Sequence, residues 1–176
     1  MVWCEMPSAY EFSDTTIQRL TTEWLEVLRR DASHPSIVTW VPFNESWGVP
    51  DLPRDGAQRA LTQALYHPTK AFDATRVVVS NDGWEHTESD LLTVHDYEND
   101  PSVFAATYAT AQSAHAALSG VSPNGRRMSV SENHRDALFS RPLMVSEFGG
   151  VSYDPSAEAD SWGYRVVDSA QAFEEQ

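Results

Sequence analysis

Two glutamates stand where a carboxyl group can do chemistry. Glu45 follows an apolar run, within Trp40-Val41-Pro42-Phe43-Asn44-Glu45-Ser46-Trp47. A carboxyl among Trp40, Phe43 and Trp47 is expected to be partly desolvated, which raises its pKa and lets it hold a proton near neutrality. A general acid needs that property. The plainer alternative is that Glu45 caps the next segment or pairs with a surface arginine. Glu147 follows Pro142-Leu143-Met144-Val145-Ser146 and precedes Phe148-Gly149-Gly150. An ionised group at the end of a buried strand is costly unless it is used or paired, and two glycines allow a sharp turn and a close ligand approach. Two glutamates at the ends of different strands fit glycoside hydrolysis, in which one protonates the departing oxygen while the other attacks the anomeric carbon or activates water.

The elements that must hold these groups alternate along the chain. Met1-Val2-Trp3-Cys4, Ile37-Val38-Thr39-Trp40-Val41, Val77-Val78-Val79-Ser80, Leu91-Leu92-Thr93-Val94 and Leu143-Met144-Val145 are apolar runs with little polar alternation, as expected of strands covered on both faces. Between them, Asp14 can cap a helix with Ile17, Leu20, Trp24, Val27 and Leu28 on one stripe, and Ala57, Ala60, Leu61, Ala64 and Leu65 repeat that spacing. An alanine-rich pattern over 103–118 predicts a third helix, and 166–176 predicts a last one. The alternation implies an α/β fold of strand–helix–strand units. Polar residues follow the runs: Asn44-Glu45, Asn81-Asp82, His95-Asp96-Tyr97 and Glu147. Functional groups at successive carboxyl ends of parallel strands describe the top of a (β/α)8 barrel, and no glycine-rich phosphate loop favours an open nucleotide-binding sheet. Five such strands, with the chain opening inside one and closing inside a helix, predict a partial barrel truncated at both ends, with 1–176 as one domain.

Composition narrows the partners. Of 176 residues, 12 are basic and 26 acidic, a formal charge of −14, which speaks against nucleic acid or an anionic membrane as partner. No run is long and apolar enough to span a bilayer, no secretory leader is visible, and a cytoplasmic location is expected. The single Cys4 precludes an internal disulfide and reads as a small buried residue. No spaced His or Cys pair predicts a metal, and no cofactor is expected.

The segment His34-Pro35-Ser36-Ile37-Val38-Thr39-Trp40-Val41-Pro42-Phe43-Asn44-Glu45 resembles the acid/base signature of glycoside hydrolase family 2, which includes β-galactosidases, β-glucuronidases and β-mannosidases. Flanking segments agree in order: Val2-Trp3-Cys4-Glu5-Met6-Pro7 looks like the end of barrel strand three, Asp73-Ala74-Thr75-Arg76 like the lead into strand five, and 142–150 like the nucleophile strand, strand seven. Ser33 and Val41 depart from the family's usual Asn and Gly or Ser. The resemblance implies a barrel covering about strands three to seven with their helices, the missing strands coming from a longer parent chain. It implies a retaining mechanism with Glu45 as general acid/base and Glu147 as nucleophile. Asn44 would then bond the sugar's 2-hydroxyl, and Tyr97 would hydrogen-bond the nucleophile, keeping it ionised and oriented.

Further residues are candidates for holding a carbohydrate. Trp47 and Trp84 fall in predicted loops at the site end, where an indole face can stack on a sugar, as can Trp162; each can equally fill the gap between barrel and helices. Asp96 is expected to bind sugar hydroxyls, while Asp82 and His95 can do so or cap strand ends, and Glu5 is a candidate cleft carboxylate. Two other functions remain open at this level: a non-catalytic carbohydrate-binding or assembly fragment of the same barrel, and a metal-dependent hydrolase using His95 and Asp96. The acidic segment 156–160 and Glu174-Glu175 read as solvated surface.

Overall fold

The computed structural model describes residues 1–130, 135–156 and 162–174. The acidic stretch 157–160 and Glu175, expected as solvated surface, lie outside them. In chain order the elements are β1 (Val2–Glu5), α1 (Asp14–Asp31), β2 (Ile37–Val41), α2 (Gly56–Phe72), β3 (Val77–Val78), β4 (Leu92–Asp96), α3 (Pro101–Tyr108), α4 (Ala111–Leu118), α5 (Arg135–Phe139), β5 (Leu143–Phe148), β6 (Val151–Tyr153), β7 (Arg165–Val167) and α6 (Ala170–Glu174). All strand pairs are parallel: β1-β2-β3, β4-β5 and β6-β7. Parallel neighbours joined through helices are the unit of an α/β barrel, and the chain forms part of one.

The first two helices form because their apolar stripes have a core to cover. Leu20, Trp24 and Leu28 of α1 are buried, with Ile17 and Val27 packed beside them. Ser13, one residue ahead of the expected Asp14, is the N-cap, its side chain accepting from the Thr16 amide. Asp55 caps α2 in the same way. Between helices and sheet, Trp24 and Trp40 meet edge-to-face with ring centres 6.0 Å apart, the favoured arrangement for two indoles. Their polar edges are satisfied: Trp24 Nε1 donates to Thr69 Oγ1 at 2.7 Å and Trp40 Nε1 to Asp73 Oδ2 at 3.0 Å. Arg76 seals this end of the barrel opposite the site. It pairs with Asp73 and donates to the carbonyls of Ala32, His34 and Ile37.

Two expectations are corrected. The alanine-rich 103–118 pattern is two helices, because Thr110 and Ser113 form a reciprocal capping box that starts α4 afresh. The closing helix begins later than expected: Val166 and Val167 belong to β7, which pairs with β6, and α6 starts at Ala170.

Candidate active site

Five consecutive strands each deliver one ionisable group to the same place: Glu5 from β1, Glu45 beyond β2, Asp82 beyond β3, His95 from β4 and Glu147 from β5. His95 is fully enclosed. Its Nδ1 donates to Glu45 Oε1 at 2.7 Å, while its Nε2 lies 3.5 Å from Asp82 Oδ2 and 3.5 Å from Glu147 Oε1. Burial works against a charge on this imidazole, but the carboxylates of Asp82 and Glu45, then Glu147, outweigh it and push the pKa up to about 9. At neutral pH the group is an imidazolium set among acids.

Backbone geometry makes room for that ring. Gly83, at φ +94°, lies so close that a Cβ there would sit 2.7 Å from His95 Nδ1, so only glycine permits both the turn and the contact. The edge of Trp84 packs against the ring at 5.6 Å. In the β4–β5 register, Val94 pairs with Val145 but His95 pairs with Glu147. Ser146 is thereby the extra residue of a bulge, a device that re-aims side chains near sites. Its Oγ donates to Asp82 Oδ1 at 2.7 Å, and Trp3 Nε1 donates to Asp82 Oδ2 at 3.0 Å. Burial alone would raise the Asp82 carboxyl; His95, Thr93 and Ser146 hold it below the ordinary value instead.

Glu45 and Glu147 face one another across this group. A carboxylate oxygen of each and a His95 nitrogen all fall within 4.8 Å. Tyr97 spans the pair, its hydroxyl donating to Glu147 Oε2 at 2.5 Å and lying 3.5 Å from Glu45 Oε1. Burial and the Glu147 carboxylate raise the phenol far above its usual pKa, so it remains a donor. Both contacts on Glu45 fall on Oε1. The two glutamates and Tyr97 open into a cleft of about 600 Å³, also walled by Gly150, Trp162 and Tyr164. Tyr164 lies flat on Tyr97, with ring centres 3.6 Å apart. Gly150 (φ +78°) allows this, since a Cβ there would sit 2.6 Å from the Tyr164 ring. The glycine thus admits a protein side chain where a ligand was expected.

The other sequence candidates divide. Glu5 joins the group: loss of solvent and the charges of Asp82 and Glu147 push its carboxyl up to about 7. Asn44 adjoins Glu45, and its buried Oδ1 has no partner among the described residues, an acceptor still to be satisfied. Trp84 is buried against His95 rather than open as a platform. Trp47 is half exposed, edge-on to Tyr10. Asp96 points elsewhere, accepting from the Glu98 amide and the Tyr108 hydroxyl. The aromatic flank expected around Glu45 is split: Trp40 and Phe43 lie in the core, and His95 and Tyr97 are the groups on the carboxylate.

His95 is the residue that sequence reasoning undervalued. The signal was available, because alternation along a strand puts His95 and Tyr97 on one face and Asp96 on the other. Glu45, His95 and Glu147 together form the one cluster among the described residues able to offer three ligand atoms to a metal ion. Such an ion would have to displace the proton that His95 holds.

Parallel strands joined through helices, with ionisable groups gathered beyond their carboxyl ends, define part of an α/β barrel with its site face. The family model for the TIM barrel domain of family 2 glycosyl hydrolases matches residues 4–153, and the chain belongs to that family. No curated protein matches it. Among the described residues no helix is long and apolar enough to cross a membrane.

Proposed function

We propose that this domain is a retaining glycoside hydrolase acting on terminal β-linked sugars, as β-galactosidases and β-glucuronidases do. The observation that carries the reading is the facing pair Glu45 and Glu147, oxygens within 4.8 Å, with the Tyr97 hydroxyl between them. Carboxyl groups about 5–5.5 Å apart suit a double displacement, whereas inversion needs about 6.5–9.5 Å to admit a water.

In the first step a Glu147 oxygen bonds the anomeric carbon. The glycosidic C–O bond breaks, and the departing oxygen takes a proton from Glu45. In the second, Glu45 removes a proton from water, the water oxygen bonds the anomeric carbon, and Glu147 is released. Tyr97 orients the nucleophile through Oε2, while His95 Nε2 stands 3.5 Å from its Oε1. His95 holds Glu45 through Oε1, leaving Oε2 for the leaving group. Asn44, whose Oδ1 has no partner among the described residues, is the candidate for a sugar hydroxyl, with Glu5 and the half-exposed Trp47 as further candidates; Trp84 and Asp96 are taken up by His95 and Tyr108. On this reading β1 to β5 are barrel strands three to seven.

The test is Glu147→Ala. Loss of turnover by about three orders of magnitude or more, restored by azide with an inverted glycosyl azide as product, supports the assignment. Unchanged activity in this variant removes it.

A further inference from the structure

The turn carrying Glu45 is held by groups that do not line the cleft. Glu45 and Ser46 have φ of 52° and 60°, a left-handed conformation that non-glycine residues keep only where their surroundings enforce it. The enforcement is visible. Ser46, 3% exposed, donates its amide to Asn81 Oδ1 at 2.9 Å and its hydroxyl to Glu85 Oε2 at 2.7 Å; Asn81 Nδ2 returns a bond to Ser46 Oγ at 3.1 Å. Glu85, 2% exposed and itself at φ 51°, is gripped by Arg126 through two bonds, Nε to Oε1 at 2.9 Å and Nη2 to Oε2 at 2.8 Å. Its amide donates to the Arg127 carbonyl at 2.7 Å. A buried carboxylate persists only when so paired, and the forked geometry fixes its orientation as well as its charge.

We infer that Arg126, Glu85 and Asn81 form a positioning relay that acts through Ser46 to hold the Glu45 turn and aim its carboxyl at the cleft. The relay rests on the reading of Glu45 as acid/base. It explains why a buried glutamate and a partly exposed arginine from the 119–130 loop meet behind the site. A misplacement of about 1 Å at a catalytic group can cost about 100-fold, so the relay need move Glu45 only slightly to matter. None of its members touches substrate; they are positioning residues.

The experiment compares kcat/KM for two β-glycosides of one sugar. One carries a dinitrophenyl leaving group that departs unaided; the other carries a methoxyphenyl group that needs the acid. Ser46→Gly is the primary variant, because glycine adopts φ 60° without strain while losing both hydroxyl bonds. Arg126→Met is the second. For the methoxyphenyl substrate, kcat/KM is expected to fall about 10- to 100-fold, in line with the worth of a general acid. For the dinitrophenyl substrate it should change by less than about threefold. Relief of the left-handed strain offsets only part of the two lost bonds, so Ser46→Gly should melt somewhat below the wild type while keeping its far-ultraviolet circular dichroism. Equal losses on both substrates, or none on either, overturn the relay. A wild type that hydrolyses neither substrate overturns the glycosidase reading itself, and the relay with it.

Discussion

Replacing His95 tests the electrostatic arrangement of the site. The imidazole is fully enclosed, and its pKa rises from an ordinary 6.5 to about 9 because Asp82, Glu45 and Glu147 surround it. A group whose pKa is raised by folding stabilises the folded state fully below its unfolded value. That contribution is lost as pH climbs through the folded value. The window here runs from about pH 6.5 to pH 9, and at about 1.4 kcal/mol per pKa unit the contribution is about 3 kcal/mol. This is a large share of the roughly 5–15 kcal/mol that holds a domain together. His95→Gln keeps a polar side chain of similar reach but does not titrate. Urea unfolding at pH 6, 7.5 and 10 should show the wild type losing about 3 kcal/mol more than the variant across that range. At pH 6 the variant is the less stable, since it leaves Glu45, Asp82 and Glu147 without their cation. Both proteins share the high-pH titration of Tyr66, Tyr97 and Tyr108, so the difference reports the imidazole together with the acids it faces, Glu5 among them. Parallel stability profiles for the two proteins would refute the reasoning.

Two further outcomes follow from single contacts. Tyr97→Phe removes the donor on Glu147, a charge-assisted bond worth about 1.5–3 kcal/mol; kcat/KM is expected to fall about 10- to 150-fold and the melting temperature by a few degrees, and an unaltered rate would count against Tyr97 as orienter. Gly150→Ala forces a Cβ to within 2.6 Å of the Tyr164 ring at φ +78°, which should break the Tyr97–Tyr164 stack and destabilise by about 1–3 kcal/mol. Near-ultraviolet circular dichroism of the tyrosines and the melting temperature check it.

What could be read from the chain alone depended on the range of the interactions involved. The α1 stripe and the strands around Trp40 and Val94 were legible because burial imposes a local period, and those residues are indeed covered. The break at Thr110 was written in a capping box that an alanine-rich stretch conceals. Pairing of β6 with β7 was not legible, since it depends on Gly150 and Gly163 permitting close packing between segments apart in sequence. Glu45, Glu147 and Tyr97 announced themselves as polar groups ending apolar runs. Their convergence on His95 required the curvature of the sheet, which no local window contains. Asp96 drew attention over His95 because it is charged, although strand alternation turns it toward Tyr108.

That convergence has a consequence for how the site titrates. Strands about 4.8 Å apart, curved into a barrel wall, force their tips together. Here the tips carry Glu5, Glu45, Asp82 and Glu147. Four acids so close cannot all ionise independently, and a single imidazolium is the only cation set among them in the described site. Glu5, pushed up to about 7 by loss of solvent and by the charges of Asp82 and Glu147, absorbs part of the repulsion by keeping its proton. The protons therefore belong to the cluster. The limbs of a pH–rate profile report its macroscopic values rather than those of Glu45 or Glu147 alone. A limb that moves on substitution of His95 or Glu5 therefore does not identify the residue that transfers the proton.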